Sequence, residues 1–251
     1  MNKNDQISAI EEFVKQNMKG YDSGHDWWHI DRVRKLALYI NEREDLADPF
    51  IVEIVALLHD TADSKFAKGN SEPGYSLISD FMDEFEMSEI RDHVLNVIRN
   101  ISFSNRKKSG NHSDPVLRVV QDADRLDAIG AIGIARAFNY GGFRNNKIYN
   151  PEVLDSSGNR KTATASTISH FYDKLLLLKY RMNTLTAKRL AAERHEFMEI
   201  FLKEFIKNGS LEPGQNKYHS PPSGKPESGC ADLFNGLLRL RLSDPREDAI
   251  K

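Results

Sequence analysis

The sequence predicts an all-α protein with one buried core. Apolar residues recur at three- and four-residue steps, as in Ile7, Ile10, Phe13 and Val14, and this spacing places them on one face of a helix. Segments that alternate between apolar and polar residues, as half-buried strands do, are scarce. A chain of 251 residues with 39% hydrophobic side chains is long enough to bury one sizeable core.

The helices can be justified in chain order. The first stripe predicts a helix around residues 7–14, and a second stripe of the same spacing predicts one around residues 33–40. A third helix is expected over residues 49–59, because Pro49 suits the first turn of a helix and mostly apolar residues follow it. Similar spacing predicts four further helices, over residues 74–85, 88–101, 114–124 and 128–138.

Two long helices are expected towards the carboxyl end. Residues 166–185 contain four consecutive leucines, and residues 186–207 repeat leucine and phenylalanine with charged residues between them. Both segments therefore read as helices that pack on the bundle. The preceding segment, 140–166, is polar and rich in glycine and asparagine, which predicts a loop.

The end of the chain differs in composition. Residues 208–229 gather glycine, proline, serine and asparagine, which is typical of a mobile linker. Residues 231–242 contain enough leucine for a short helix. We therefore predict a domain over residues 1–207, followed by a poorly ordered linker and tail over residues 208–251.

Charge and cysteine content exclude several classes of protein. The formal net charge is -2, from 35 basic and 37 acidic residues, so no global field attracts the protein to nucleic acid or to an anionic membrane. The single cysteine, Cys230, cannot form an internal disulfide. The polar start lacks the apolar stretch of a signal peptide, and no run approaches the roughly 18 apolar residues of a membrane span. We expect a cytoplasmic protein.

The pair His59-Asp60 is the strongest functional signal. It ends the apolar run 54–58, so a buried segment carries an imidazole and a carboxylate side by side. A second histidine, His29, lies upstream, and the acidic cluster 122–127 follows downstream. Imidazole and carboxylate suit Mn²⁺, Fe²⁺, Co²⁺ or Zn²⁺, and the absence of nearby cysteine argues against thiolate-bound structural zinc.

These residues can hold one ion only if several helices meet. Consecutive residues on a helix point about 100° apart, so His59 and Asp60 both reach an ion that lies beside their helix. The other ligands would then come from other helices. Coordination positions that the protein leaves open would hold water, which the metal acidifies into a nucleophile, or a phosphoryl oxygen, which it polarises.

Three segments resemble the HD-domain superfamily of metal-dependent phosphohydrolases. The segment 29–33 is similar to the first histidine motif of that family, 57–60 to its defining His-Asp doublet, and 122–126 to its closing aspartate motif. The resemblance extends over roughly residues 7–207 and is greatest to a small branch of HD hydrolases. It implies an all-α HD-domain helical bundle that binds one divalent metal (Mn, Fe, Co, Zn or Mg), with the ligands His29, His59, Asp60 and Asp124.

The resemblance also implies hydrolysis of a phosphate ester or anhydride in a nucleotide-like small molecule, by metal-activated water. Asp63 lies one turn beyond Asp60 and could accept a proton from that water, or it could simply pair with Lys65 on the surface. A phosphoryl substrate needs positive charge where negative charge grows. Candidates for this role, or for binding the substrate, are Lys65, Lys174, Arg32, Arg125, Arg144 and His170.

The arguments for these candidates differ. His170 and Lys174 are four residues apart and share a helical face, which the resemblance places toward the site, although surface solvation is the usual fate of a lysine. Arg32 follows His29 by three residues and faces the same way. Asp122 and Asp127 flank Asp124, so that one of them could hydrogen-bond a ligand histidine, whereas otherwise they cap a helix or pair with Arg125.

Simpler and rival interpretations stay open. Asp26 is expected to cap the helix that carries His29 rather than to act in catalysis. His93 and His112 could supply a second metal for dinuclear oxygen chemistry, although a single metal is the expectation. A non-catalytic module that binds metal or nucleotide is a further alternative. Neither nucleic acid nor a membrane is an expected partner, and a homodimer is left open.

Overall fold

The fold is all-α, as the sequence predicts. A computed structural model of the protein describes residues 1–18, 26–62, 72–101, 113–150 and 166–209. The first half of these ranges contains the helices α1 (Lys3–Asn17), α2 (Trp27–Glu44), α3 (Pro49–Leu58), α4 (Glu72–Glu84) and α5 (Ser88–Ile101). The second half contains α6 (Pro115–Asp127), α7 (Gly130–Phe143), α8 (Thr167–His170) and α9 (Leu185–Gly209). Within these ranges, β pairing is limited to one isolated bridge between Lys147 and Ser166.

Side-chain caps define where several helices begin. The Asp26 side chain accepts a hydrogen bond from the backbone N–H of His29 at 2.9 Å, so the predicted cap of α2 is confirmed. Asp48 and Asp114 cap α3 and α6 in the same way, and a proline follows each of them. These caps pair N–H groups that the first helical turn leaves without partners.

The core surrounds α3. Every residue of its second half, Ile54 to Leu58, is fully buried, because α1, α2, α5 and α6 all pack against this helix. A helix that is apolar all round belongs in the interior. Its carboxyl end therefore places His59 in the interior and Asp60 beside it, partly exposed. No helix in the described ranges combines the length and the apolarity needed to cross a membrane.

The predicted helix over residues 166–185 is not a regular α-helix. It divides into α8, a π-helical segment (Phe171–Leu175) and a 3-10 segment (Leu176–Arg181), after which Met182 is extended. Directly after these segments, the Asp122 side chain accepts long-range hydrogen bonds from the backbone N–H groups of Asn183 and Thr184. These bonds stabilise the extended turn and fix the beginning of α9.

Two boundaries also differ from prediction. α7 continues to Phe143 rather than ending at residue 138, and it begins at Gly130, whose φ of 76° favours glycine. Residues Met1–Gly209 form one compact unit. The residues beyond Gly209, which include nearly all of the predicted tail, lie outside the described ranges. The predicted domain boundary after residue 207 therefore stays a prediction.

Candidate metal centre

Three helices bring the four predicted ligands together. His29 lies in the first turn of α2, His59 and Asp60 directly follow α3, and Asp124 lies in α6. The Nε2 atom of His29 is 3.3 Å from an oxygen of Asp60 and 3.7 Å from an oxygen of Asp124. The Nε2 atom of His59 is 3.5 Å from the other oxygen of Asp60. Atoms that bind one ion at about 2.1 Å lie roughly 3 to 4 Å apart, so this spacing fits a single ion.

The centre has a closed side and an open side. The side chains of His29 and His59 are each 1% exposed, whereas those of Asp60 and Asp124 are 14% and 38% exposed. The histidines thus lie towards the core and the carboxylates towards solvent. A substrate would approach from the side of Asp124.

His59 presents a nitrogen that suits a metal. Its Nδ1 donates a hydrogen bond to the carbonyl oxygen of Ala56 at 2.8 Å, so the neutral ring carries its lone pair on Nε2. This Nε2 is buried and makes no hydrogen bond with the part of the chain that the structure describes. Burying a polar atom in this way costs free energy unless a partner is supplied. A divalent ion at the centre would be such a partner.

His29 is oriented by a carboxylate behind it. Its Nδ1 donates to Asp127 Oδ2 at 2.8 Å, which turns Nε2 towards Asp60 and Asp124. Metal-binding histidines commonly use their second ring nitrogen in this way. Burial opposes the charged form, but hydrogen bonds to Asp127 and Asp60 outweigh it and raise the pKa of His29 to about 9 in the absence of metal. Metal binding must therefore displace a proton from this ring.

Asp127 connects the centre to two arginines. Its buried carboxylate accepts from Arg32 Nε at 2.6 Å and Nη2 at 3.0 Å, and from Arg136 Nη1 at 2.6 Å. Burial alone would raise its pKa, but the hydrogen bonds from His29 and Arg32 keep the pKa of Asp127 well below its usual range. Arg136 belongs to α7 and no local motif marks it. The turn at Gly130, between α6 and α7, brings it here.

Arg125 lies in a different environment from its neighbour Asp124. Its guanidinium is 7% exposed, lies 3.5 Å from an Asp122 oxygen and donates to the carbonyl oxygen of Arg181. These contacts support the turn before α9. They do not support the predicted role in binding substrate, which stays a prediction.

The other predicted residues are only partly located. His170 is half-buried at the end of α8, where burial and then the nearby Lys174 lower its pKa. Lys174 is exposed in the π-helical segment, and Arg144 is exposed just after α7. Asp63 and Lys65 lie outside the described residues. The catalytic or binding roles of these five residues remain predictions.

His93, one of the two histidines considered for a second metal, does not join the centre. The Nε2 of His93 lies 2.8 Å from an oxygen of Asp114, the cap of α6, on the protein surface. His112 lies outside the described residues. Across the described ranges, one group of histidine and carboxylate ligands has all its atoms within 4.8 Å of one another, and it contains His29, His59 and Asp124. Asp60 contacts both histidines of this group.

Comparison with known proteins identifies the class. Residues 27–129 match the HD domain family, and this range contains all four predicted ligands. The chain belongs to the HD-domain superfamily, in agreement with its all-α fold and its histidine and aspartate centre.

The chain also has similar relatives. Protein YpgQ of Bacillus subtilis is 40% identical over 205 residues, which are 81% of this chain and 93% of YpgQ. A crystal structure of YpgQ in complex with ADP matches with a TM-score of 0.66 and 39% identity, covering 83% of this chain and 98% of that one. An HD-superfamily hydrolase from Bacillus thuringiensis matches with a TM-score of 0.67 and 39% identity, covering 84% and 100% of the two chains.

Proposed function

We propose that this protein is a metal-dependent phosphohydrolase that cleaves a phosphate ester or anhydride of a nucleotide-like small molecule. The observation that carries this proposal is the convergence of His29, His59, Asp60 and Asp124 around the buried Nε2 of His59, which makes no hydrogen bond within the described residues. A divalent metal, when bound there, acidifies water and polarises a phosphoryl oxygen.

Each side chain of the centre would have its own role in binding the metal or accepting a proton. The two buried histidines fix the position of the ion, while Asp60 and Asp124 hold it from the solvent side. Two neutral and two anionic ligands leave a divalent ion with no excess charge, so an anionic substrate meets no repulsion from the centre. Asp63 follows Asp60 in the chain and remains our candidate for the proton acceptor.

Two observations support phosphate as the target. Arg32 and Arg136 lie directly behind His29, and guanidinium groups suit phosphate oxygens. The relative YpgQ has been crystallised in complex with ADP. We infer from these a phosphorylated, nucleotide-like substrate.

The types of ligand also indicate which metal ion the centre would prefer. Two imidazoles and two carboxylates suit Mn²⁺, Fe²⁺, Co²⁺ or Zn²⁺ better than Mg²⁺, which prefers oxygen ligands. We propose one ion per chain, because His93 is paired with Asp114 away from the group. This pairing also disfavours the dinuclear oxygenase alternative. A cytoplasmic location and a homodimer stay predictions from sequence.

The test is a metal-supplemented screen against nucleoside mono-, di- and triphosphates. We expect turnover and bound metal in the wild-type protein, and loss of both in His59→Ala. His93→Ala is the matched control, because this exposed histidine lies outside the group and should keep full activity. If no metal supports turnover and His59→Ala only lowers the melting temperature, the protein is instead a non-catalytic metal-binding module.

A further inference from the structure

We draw no further inference here: the strongest candidate, the apolar surface that Leu177, Tyr180 and Leu185 expose around the turn before α9, carries nothing because no contact among the described residues shows what covers it.

Discussion

Asp122 and Asp127 lie in the last two turns of α6 and both are buried, but the partners of their short hydrogen bonds differ in charge. Asp122 accepts at 2.8 to 2.9 Å from neutral groups of Asn183 and Thr184, whereas Arg125 comes no closer than 3.5 Å. Asp127 accepts from His29 and from the guanidiniums of Arg32 and Arg136. Burial raises the pKa of Asp122 despite its hydrogen bonds, whereas the pKa of Asp127 is lowered by its charged partners against the effect of burial.

This difference in partners separates the roles of the two aspartates. Asp122 supports the fold, whereas Asp127 orients a histidine of the candidate metal centre. At the beginning of α9, the backbone N–H groups need only a hydrogen-bond acceptor, so neutral donors are sufficient partners for Asp122. Charged donors are needed where a permanent negative charge must orient a metal-binding imidazole. The two residues are five positions apart on one helix, so each can be tested with the other as its control.

The largest loss of activity should follow from replacing Asp124, which lies between Asp122 and Asp127 on α6. Asp124→Ala removes a predicted ligand, and we expect hydrolysis to fall by more than about a hundredfold, beyond the range seen for residues that only support ligands. The measurement is kcat/KM on the substrate found in the screen, together with bound Mn²⁺. Asp92→Ala is the control, since its side chain is 85% exposed on α5. Unchanged activity in Asp124→Ala would reject the ligand assignment.

The next effect concerns Asp127 and metal affinity. Asp127→Asn keeps the shape but removes the charge that orients His29, so we expect Mn²⁺ affinity to fall about ten- to hundredfold. Chelator-competition titration measures this. Asp122→Asn should keep wild-type Mn²⁺ affinity, and equal losses in the two variants would show that the division of roles is wrong.

The third effect concerns Asp122 and stability. Asp122→Ala leaves the buried N–H of Thr184 and the partly buried N–H of Asn183 without their acceptor. We expect the free energy of unfolding to fall by about 2 to 4 kcal/mol, from the lost cap and the unpaired groups. Urea denaturation in the presence of chelator measures it. Asp122→Asn keeps one acceptor oxygen and should lose less; a loss as large as that of Asp122→Ala would contradict this explanation.

The residues of the candidate metal centre could be located from sequence because each lies in a short local motif. Asp26 likewise caps α2 from three residues away. Arg125 shows the limit of such reasoning: it is next to Asp124 in the chain, but consecutive helical residues point about 100° apart, and its guanidinium donates to Arg181 instead.

Long-range contacts account for what the sequence does not reveal. Arg136 and Arg194 approach Asp127 because the chain turns at Gly130 between α6 and α7, and because α9 packs on α6. Arg194 itself packs so closely on Gly130 that an added Cβ would lie 3.0 Å from its Cγ. The extended turn before α9 likewise depends on Asp122, 61 positions before Asn183. The spacing of residues within a single helix does not predict these contacts.

The last effect concerns the pH dependence of stability in the metal-free protein. The folded chain raises the pKa of His29 from 6.5 to about 9, so its protonated form stabilises the fold fully below pH 6.5. That stabilisation should be lost as pH rises through about 9, with a slope of at most about one proton. Urea denaturation in chelator across this range measures it. The decline should shift to lower pH in Asp127→Asn, because the main hydrogen bond that favours the charged ring is weakened. It should be absent in metal-saturated wild type, where His29 is neutral, and a decline that persists there would contradict His29 as a ligand.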